Sequence, residues 1–233
     1  MRPLCLAALL ISTAAGLLAQ AGAPPAPGRT TPLFDGKTLA GWEGDATVWR
    51  VEDGAITGGV ITAAQKTNQF LASTREFSDF ILRFQIKLTG TEGFVNSGMQ
   101  IRSQRKPDST EMIGYQCDYG DPEWWGGIYD ESRRDKVLAA ADMKTLGPAI
   151  RRGEWNDYVI RAQGRRITTW INGVMGVDYT ETDASIPQTG KLGLQLHSGG
   201  KAIVQLKNIS IEVLRSEEHT SELQSRFGIS YAV

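Results

Sequence analysis

Residues 80–88 read FILRFQIKL, and this run limits the possible folds more than any other feature of the chain. Phe80, Leu82, Phe84, Ile86 and Leu88 alternate with Ile81, Arg83, Gln85 and Lys87. Successive side chains of an extended strand point to opposite faces, so one face here is apolar and the other mostly polar. A strand of that kind needs a second layer to cover its apolar face. Hairpin signals surround it. Asp53-Gly54 separates Trp49–Glu52 from Ala55–Thr57, and Asn172-Gly173 separates Arg166–Ile171 from Val174–Tyr179. Asn, Asp and Gly tolerate the positive φ that two-residue hairpin turns require. Gly164-Arg165 is a weaker turn after Asp157–Ala162, and Lys191–His197 and Ala202–Leu214 are the closing strands. Only Asp135–Met143 carries a pattern fit for a short helix. Antiparallel hairpins without interleaved helices argue against a parallel α/β sheet. They predict an all-β antiparallel β-sandwich of the jelly-roll kind, with little helix and about a dozen strands.

The two ends read differently from the middle. Arg2, the apolar run Leu4–Leu18, the small-x-small site Ala19-Gln20-Ala21 and then Pro24, Pro25 and Pro27 stand in the order of a secretory signal peptide. The apolar run is too short to span a bilayer. The expectation is cleavage near Ala21 and a secreted or periplasmic mature chain with no membrane insertion. Residues 22–30 are then a Pro-rich lead-in and residues 31–214 the domain. Residues 215–233, RSEEHTSELQSRFGISYAV, follow a strand that has already ended and lack a sustained apolar period. They match the translation of a common sequencing adapter and are expected not to be native.

Setting both ends aside removes Arg2, Arg215 and Arg226 together with Glu217, Glu218 and Glu222, so the net charge of −1 is unchanged. With no basic surplus, nucleic acid and anionic membrane are not expected partners. Cys117 becomes the sole cysteine and His197 the sole histidine of the domain. An internal disulfide is then impossible, as is a zinc site built from several Cys or His. A divalent metal would need mostly oxygen ligands, as calcium and magnesium prefer. Cys117 suits a small buried hydrophobe, with a Cys–His pair formally open. Nothing in the sequence sets an oligomeric state.

Three strand-like runs place polar side chains two apart. Gln100 and Arg102 alternate with Met99 and Ile101; Gln116 and Asp118 with Tyr115, Cys117 and Tyr119; Gln195 and His197 with Leu194 and Leu196. Any solvated sheet face is polar, but such faces are usually richer in Lys, Glu and Thr. Gln, Asp, Arg and His together both donate to and accept from sugar hydroxyls. If the apolar neighbours enter the core, these six residues line one sheet face. The loop GDPEWWGGIYDESRRDKVL is expected to fold over its rim, bringing Trp125, Tyr129, Glu131, Arg133 and Arg134. Aromatic rings there can pack on the C–H face of a sugar, while one of Trp124 and Trp125 is expected to plug the core. Trp42, Trp49, Trp155 and Trp170 sit in or beside strand runs, where core packing is the default.

Eight segments in order resemble the 3-keto-disaccharide hydrolase domain family. They are LFDGKTLAGW at 33–42, WRVEDGAIT at 49–57, FSDFILRFQIKL at 77–88, NSGMQIRS at 96–103, GYQCDYG at 114–120, GGIYDESRR at 126–134, GEWNDYVIRAQGRRITTWINGV at 153–174 and GLQLHSGG at 193–200. The resemblance implies a concanavalin-A-like jelly roll, export, and a carbohydrate substrate, namely a 3-keto-glycoside or 3-keto-disaccharide. Such a reaction needs a base at the C2 proton, an acid for the leaving oxygen, and donors or positive charge at the enolate. His197, Glu131 and Asp118 are the candidates for proton transfer, His197 first because its ordinary pKa lies near neutrality. Arg102, Arg133 and Arg134 are candidates for the enolate or a sugar hydroxyl, with Gln100, Gln116, Trp125, Tyr129 and Gln195 as further substrate contacts. A carboxylate-held metal could replace an arginine. The competing expectation is a non-catalytic, lectin-like carbohydrate-binding module, with a structural cell-surface protein as a third.

Overall fold

The computed structural model describes residues 22–214. Segments 1–21 and 215–233, on which the leader and adapter readings fall, lie outside the described residues. The strands are β1 (Thr31–Pro32), β2 (Trp42–Glu43), β3 (Trp49–Glu52), β4 (Ala55–Val60), β5 (Gln69–Phe77), β6 (Phe80–Gly93), β7 (Asn96–Arg105) and β8 (Met112–Gly120). They continue with β9 (Ile128–Glu131), β10 (Lys136–Ala139), β11 (Asn156–Gln163), β12 (Arg166–Ile171), β13 (Val174–Thr180), β14 (Gly190–Leu196) and β15 (Gly200–Val213). One sheet has the order β13-β12-β11-β6-β15-β4-β3, with β1 added on β15; the other has the order β10-β9-β8-β7-β14-β5-β2. All the strand pairs are antiparallel, so the chain is the expected all-β sandwich.

The alternation of β6 does what its pattern dictates. Phe80, Leu82, Phe84, Ile86 and Leu88 enter one core, where they meet Met99, Ile101, Cys117, Leu194 and Leu196 of the facing sheet. Each such side chain contributes roughly 1.5–3 kcal/mol by leaving water. Cys117 is free and buried. Both strong turn signals form hairpins: Asp53 and Gly54 take φ of 50° and 73°, and Asn172 and Gly173 take 50° and 84°.

Three local expectations differ from the structure, the simplest being Trp155, which is only partly buried and lies outside the core beneath the Lys207 ammonium. Residues 135–142 are not helical: Lys136–Ala139 forms β10 on the edge of β9, and the short helix α1 spans Met143–Leu146. An open strand edge offers Lys136–Ala139 ladder bonds that its weak helical period cannot match. Asp142 then starts the helix, its carboxylate accepting from the Lys144 backbone N–H. Trp170, expected in the core, lies on the same face as Arg83. It is buried by the lead-in instead. Its indole N–H donates to the Gly22 carbonyl at 2.7 Å, Arg83 donates to the Pro25 carbonyl at 2.7 Å, and the Gly28 N–H donates to Glu212 at 3.0 Å. Residues 22–28 thus strap the outer face of this sheet.

Candidate functional site

The site forms on the outer face of the second sheet, because Met99, Ile101, Tyr115, Cys117, Leu194 and Leu196 are claimed by the core. Their neighbours must face away. Register puts Gln100 beside Gln116 and Gly193, Asp118 beside Gly98, and Tyr129 beside Gln116. Residues directly opposite share a face, and the hydrogen bonds follow. The Gln100 amide donates to Gln116 Oε1 at 3.0 Å, and the Gln116 amide donates to Asp118 Oδ1 at 2.8 Å and to Gln195 Oε1 at 3.2 Å. The Gln195 amide donates to Glu131 Oε2 at 3.2 Å. The three glutamine amides therefore hand their donors in sequence toward two carboxylates. Gly98 leaves room for this: a Cβ there would run into the Gln116 side chain and come within 3.0 Å of Asp118.

These carboxylates have no cation close enough to pair with among the described residues. Burial pushes the Asp118 carboxyl well above the usual range, and the charge of Glu131 adds to this, against the hydrogen bond from Gln116. Glu131 is pushed up to about 7, first by burial and then by the charges of Glu111 and Asp135, with Gln195 and Lys106 opposing. Glu111, which reasoning from the sequence did not single out, keeps one buried carboxylate oxygen without a hydrogen-bond partner. A carboxylate poised near neutrality can both take and return a proton. Among the described residues no group of three or more His, Cys, Asp or Glu side chains is arranged to hold a metal ion.

An aromatic arc closes one end of this face. Tyr129 meets Trp124 edge to face at 6.4 Å, Trp124 meets Phe94 at 6.1 Å, and Phe94 meets His197 at 4.6 Å. His197 lies just past the end of β14, and its Nδ1 sits 2.7 Å from the Ser198 carbonyl. A carbonyl only accepts, so Nδ1 carries the proton and Nε2 is left for a ligand. Phe94 reaches this position because glycine backbones allow it. The Phe94 N–H donates to the Gly199 carbonyl at 3.2 Å, and Gly93 takes φ of 76°. A Cβ on Gly93 would strike the Gly199 carbonyl, and one on Gly200 would strike the Phe94 carbonyl. The sequence signal was the Gly199-Gly200 pair, which is uninformative until its neighbour across space is known.

Four residues expected at the site are elsewhere. The β7–β8 register shifts between Ile101 and Gln104, and Arg102 adopts φ of 50°. This bulge puts Ser103 on the Gln100 face, where its hydroxyl donates to Gln100 Oε1 at 2.5 Å. Arg102 turns away to the end of the sandwich. It donates to the Ser78 carbonyl at 2.6 Å, the Gly164 carbonyl at 2.7 Å, Gln188 at 2.6 Å and Asp79 at 2.8 Å. Arg133 and Arg134 pair with Asp130, which alternates with Glu131 and so faces the other way; Arg134 also reaches Glu181 at 2.7 Å. Trp125 is in the core, its indole N–H donating to Asp121 at 3.0 Å, and Trp124 takes the rim place.

The same architecture recurs in solved structures. A candidate glycosyl hydrolase from Parabacteroides distasonis superposes with a TM-score of 0.62 at 22% identity, covering 80% of this chain and 94% of that one. The carbohydrate binding module CBM66 from Bacillus subtilis gives 0.58 at 16% identity, covering 74% and 95%. A Bacillus subtilis protein of unknown function with a galectin-like fold gives 0.56 at 11% identity, covering 76% and 92%. At these identities the likeness is one of fold. No curated protein matches the chain. A family model does: the 3-keto-alpha-glucoside-1,2-lyase-like domain, over residues 29–212. That span includes both sheets and every residue of the amide–carboxylate array. The chain belongs to the 3-keto-alpha-glucoside-1,2-lyase-like domain family, and its function is carbohydrate-related.

Proposed function

We propose that this protein cleaves 3-keto-glycosides by removing the C2 proton and eliminating the glycosidic oxygen from C1. The observation that carries the reading is Glu131: a carboxylate with a pKa of about 7, hydrogen-bonded by Gln195 and free of any pairing cation. The ketone at C3 acidifies the C2 proton. Glu131 takes that proton, and the C2–H electrons move into the enolate of the C3 carbonyl. Their return forms the C1–C2 double bond as the C1–O bond breaks, and the leaving oxygen takes a proton. Asp118, whose carboxyl burial pushes well above the usual range, is the proposed proton donor within the same array. The Gln195 amide holds Glu131 in position for the C2 proton. Addition of water to the unsaturated product would complete net hydrolysis. His197 stands at the rim, with Nε2 available to a sugar hydroxyl.

A second reading, a non-catalytic sugar-binding module, is favoured by the aromatic arc, whose Phe94 is openly exposed. Incubating the purified protein with a 3-keto-glucoside and with its unoxidised parent separates the two. Cleavage of the keto sugar alone is expected. Cleavage of neither, with retention on a sugar affinity column, selects the binding module. Export is part of the same proposal, and material recovered from the periplasm should begin just after Ala21.

A further inference from the structure

An enolate needs a cation or a hydrogen-bond donor at its oxygen. The arginines expected for that role are spent elsewhere: Arg102 on Asp79, Arg133 on Asp130, and Arg134 on Asp130 and Glu181. A phenol can donate instead, and the tyrosines of the described residues sort by what their hydroxyls do. Tyr115 and Tyr179 each donate to Glu181 at 2.9 Å, and Tyr158 donates to the Asp118 carbonyl at 3.2 Å. Tyr119 is sealed in the core. Tyr129 differs. It is partly exposed on β9, and among the described residues its hydroxyl has no hydrogen-bond partner.

We propose that the Tyr129 hydroxyl is the hydrogen-bond donor to the C3 oxygen as that oxygen becomes the enolate. The inference rests on the reading that Glu131 removes the C2 proton. Strand geometry brings the two groups together. Tyr129 and Glu131 are two apart on β9, so they share its outer face. Tyr129 is also the direct cross-strand partner of Gln116, whose amide reaches Asp118 and Gln195. In the sugar the C2 proton and the C3 oxygen sit on adjacent carbons, so base and donor must come from neighbouring side chains. The phenol ring is held on both sides. Val137 of β10 stands opposite Tyr129 across the other strand edge, and Trp124 meets the ring edge to face at 6.4 Å. Burial, and then the charges of Asp135, Glu131, Asp118 and Asp130, push the phenol above its ordinary value. It therefore stays a donor across the range in which Glu131 titrates. The step balances. Glu131 takes the C2 proton, the C2–H electron pair moves onto the C3 oxygen, and the phenolic hydrogen bond tightens on the growing charge without giving up its proton. The bond relaxes when the pair returns to expel the oxygen from C1.

The test uses Tyr129→Phe, which keeps the ring and its packing, and a 3-keto sugar without a substituent at C1, labelled with ¹³C at C3. That sugar binds but has nothing to eliminate. A donor at the ketone polarises the carbonyl, so the bound C3 resonance of the wild type should lie downfield of the free ketone. Tyr129→Phe should remove most of that shift. On a methyl 3-keto-glucoside the same variant should lower kcat by about 10²-fold with KM within about threefold. Exchange of the C2 proton of the labelled sugar with deuterated water should fall by a similar factor. A tyrosine that served only as a wall would leave the resonance in place and change KM rather than kcat. A wild-type resonance at the free position, an unchanged shift in Tyr129→Phe, or a kcat within about threefold of wild type overturns the assignment. The two readings fail separately. Normal turnover in Glu131→Gln defeats the base, while a resonance that depends on Tyr129 still sustains the donor. Lost turnover in Glu131→Gln with an unchanged resonance in Tyr129→Phe defeats the donor alone.

Discussion

Strands β8 and β9 carry two polar clusters on their two faces, and the contrast between them separates a site from a strut. On the outer face Gln100, Gln116, Gln195, Asp118 and Glu131 form a run of amides ending in carboxylates. On the other face Asp130, Arg133, Arg134 and Glu181 form ion pairs, with Tyr115 donating to Glu181 at 2.9 Å, and Arg102 with Asp79 lies close by through Gln188. Both clusters are largely buried. Only the second balances its charge. Burial works against Glu181, yet hydrogen bonds from Arg134, the Asp183 backbone, Tyr115 and Tyr179 hold it down at about 2. Glu131 lacks such partners and is pushed the opposite way, to about 7. A self-neutralised cluster has no chemistry left to offer, whereas an unneutralised one is poised for proton transfer.

The sharpest way to break this comparison is to cut one member from each cluster. Arg102→Ala strands the Ser78 and Gly164 carbonyls and leaves Asp79 without its partner. It should cost about 3–5 kcal/mol of stability in chemical denaturation while leaving the activity of the still-folded fraction intact. A selective loss of turnover without loss of stability would move Arg102 into the site after all. Glu131→Gln keeps the shape and removes the proposed base. Turnover of a 3-keto-glucoside should fall by a factor of order 10² or more, with no loss of stability. Near-normal turnover in that variant would defeat the assignment.

pH sharpens the same distinction. Wild-type kcat/KM should rise about tenfold per unit below pH 7 and level off above it, because Glu131 must be ionised to act. The stability effect has the opposite sense. Between about 4.5 unfolded and about 7 folded, the native state binds the extra proton. Stability from this group is therefore present at low pH and declines as pH rises through that window. Glu181 behaves in reverse: its lowered value makes its contribution present above the ordinary carboxylate range and lost as pH falls toward 2. Glu131→Gln should flatten the upper window alone, read as unfolding midpoints across pH. The smallest effect expected is at the rim. His197→Ala removes a hydrogen bond to a sugar hydroxyl and should raise KM about fivefold with turnover little changed. A loss of 10² in turnover would instead place His197 in the proton transfer.

The sequence alone determined the layers of this protein and which strand residues point inward. The alternation of Phe80–Leu88, the Asp-Gly and Asn-Gly turns, and the apolar neighbours of Gln100, Gln116 and Gln195 are local patterns. Period-two geometry converts them directly into faces. The grouping of Gln100, Gln116, Asp118 and Gln195 was legible for that reason, since it needs only parity and adjacency, whereas Glu131 was expected on a loop over the rim and stands instead on strand β9. Arg102 shows where parity ends. One bulge shifts the register by a residue, and nothing in NSGMQIRS announces it. Arg133 and Arg134 were drawn toward the wrong face because charge in a loop sequence carries no direction; Asp130 decides it by alternating with Glu131. Trp124 and Trp125 are chemically identical neighbours, and only the space left by Tyr119 and Asp121 sends one to the core and the other to the rim. Phe94 reaches His197 through contacts between glycine backbones far apart in sequence. Faces follow from spacing along a strand, but partners follow from which strands meet, and long-range pairing is what the tertiary structure alone decided.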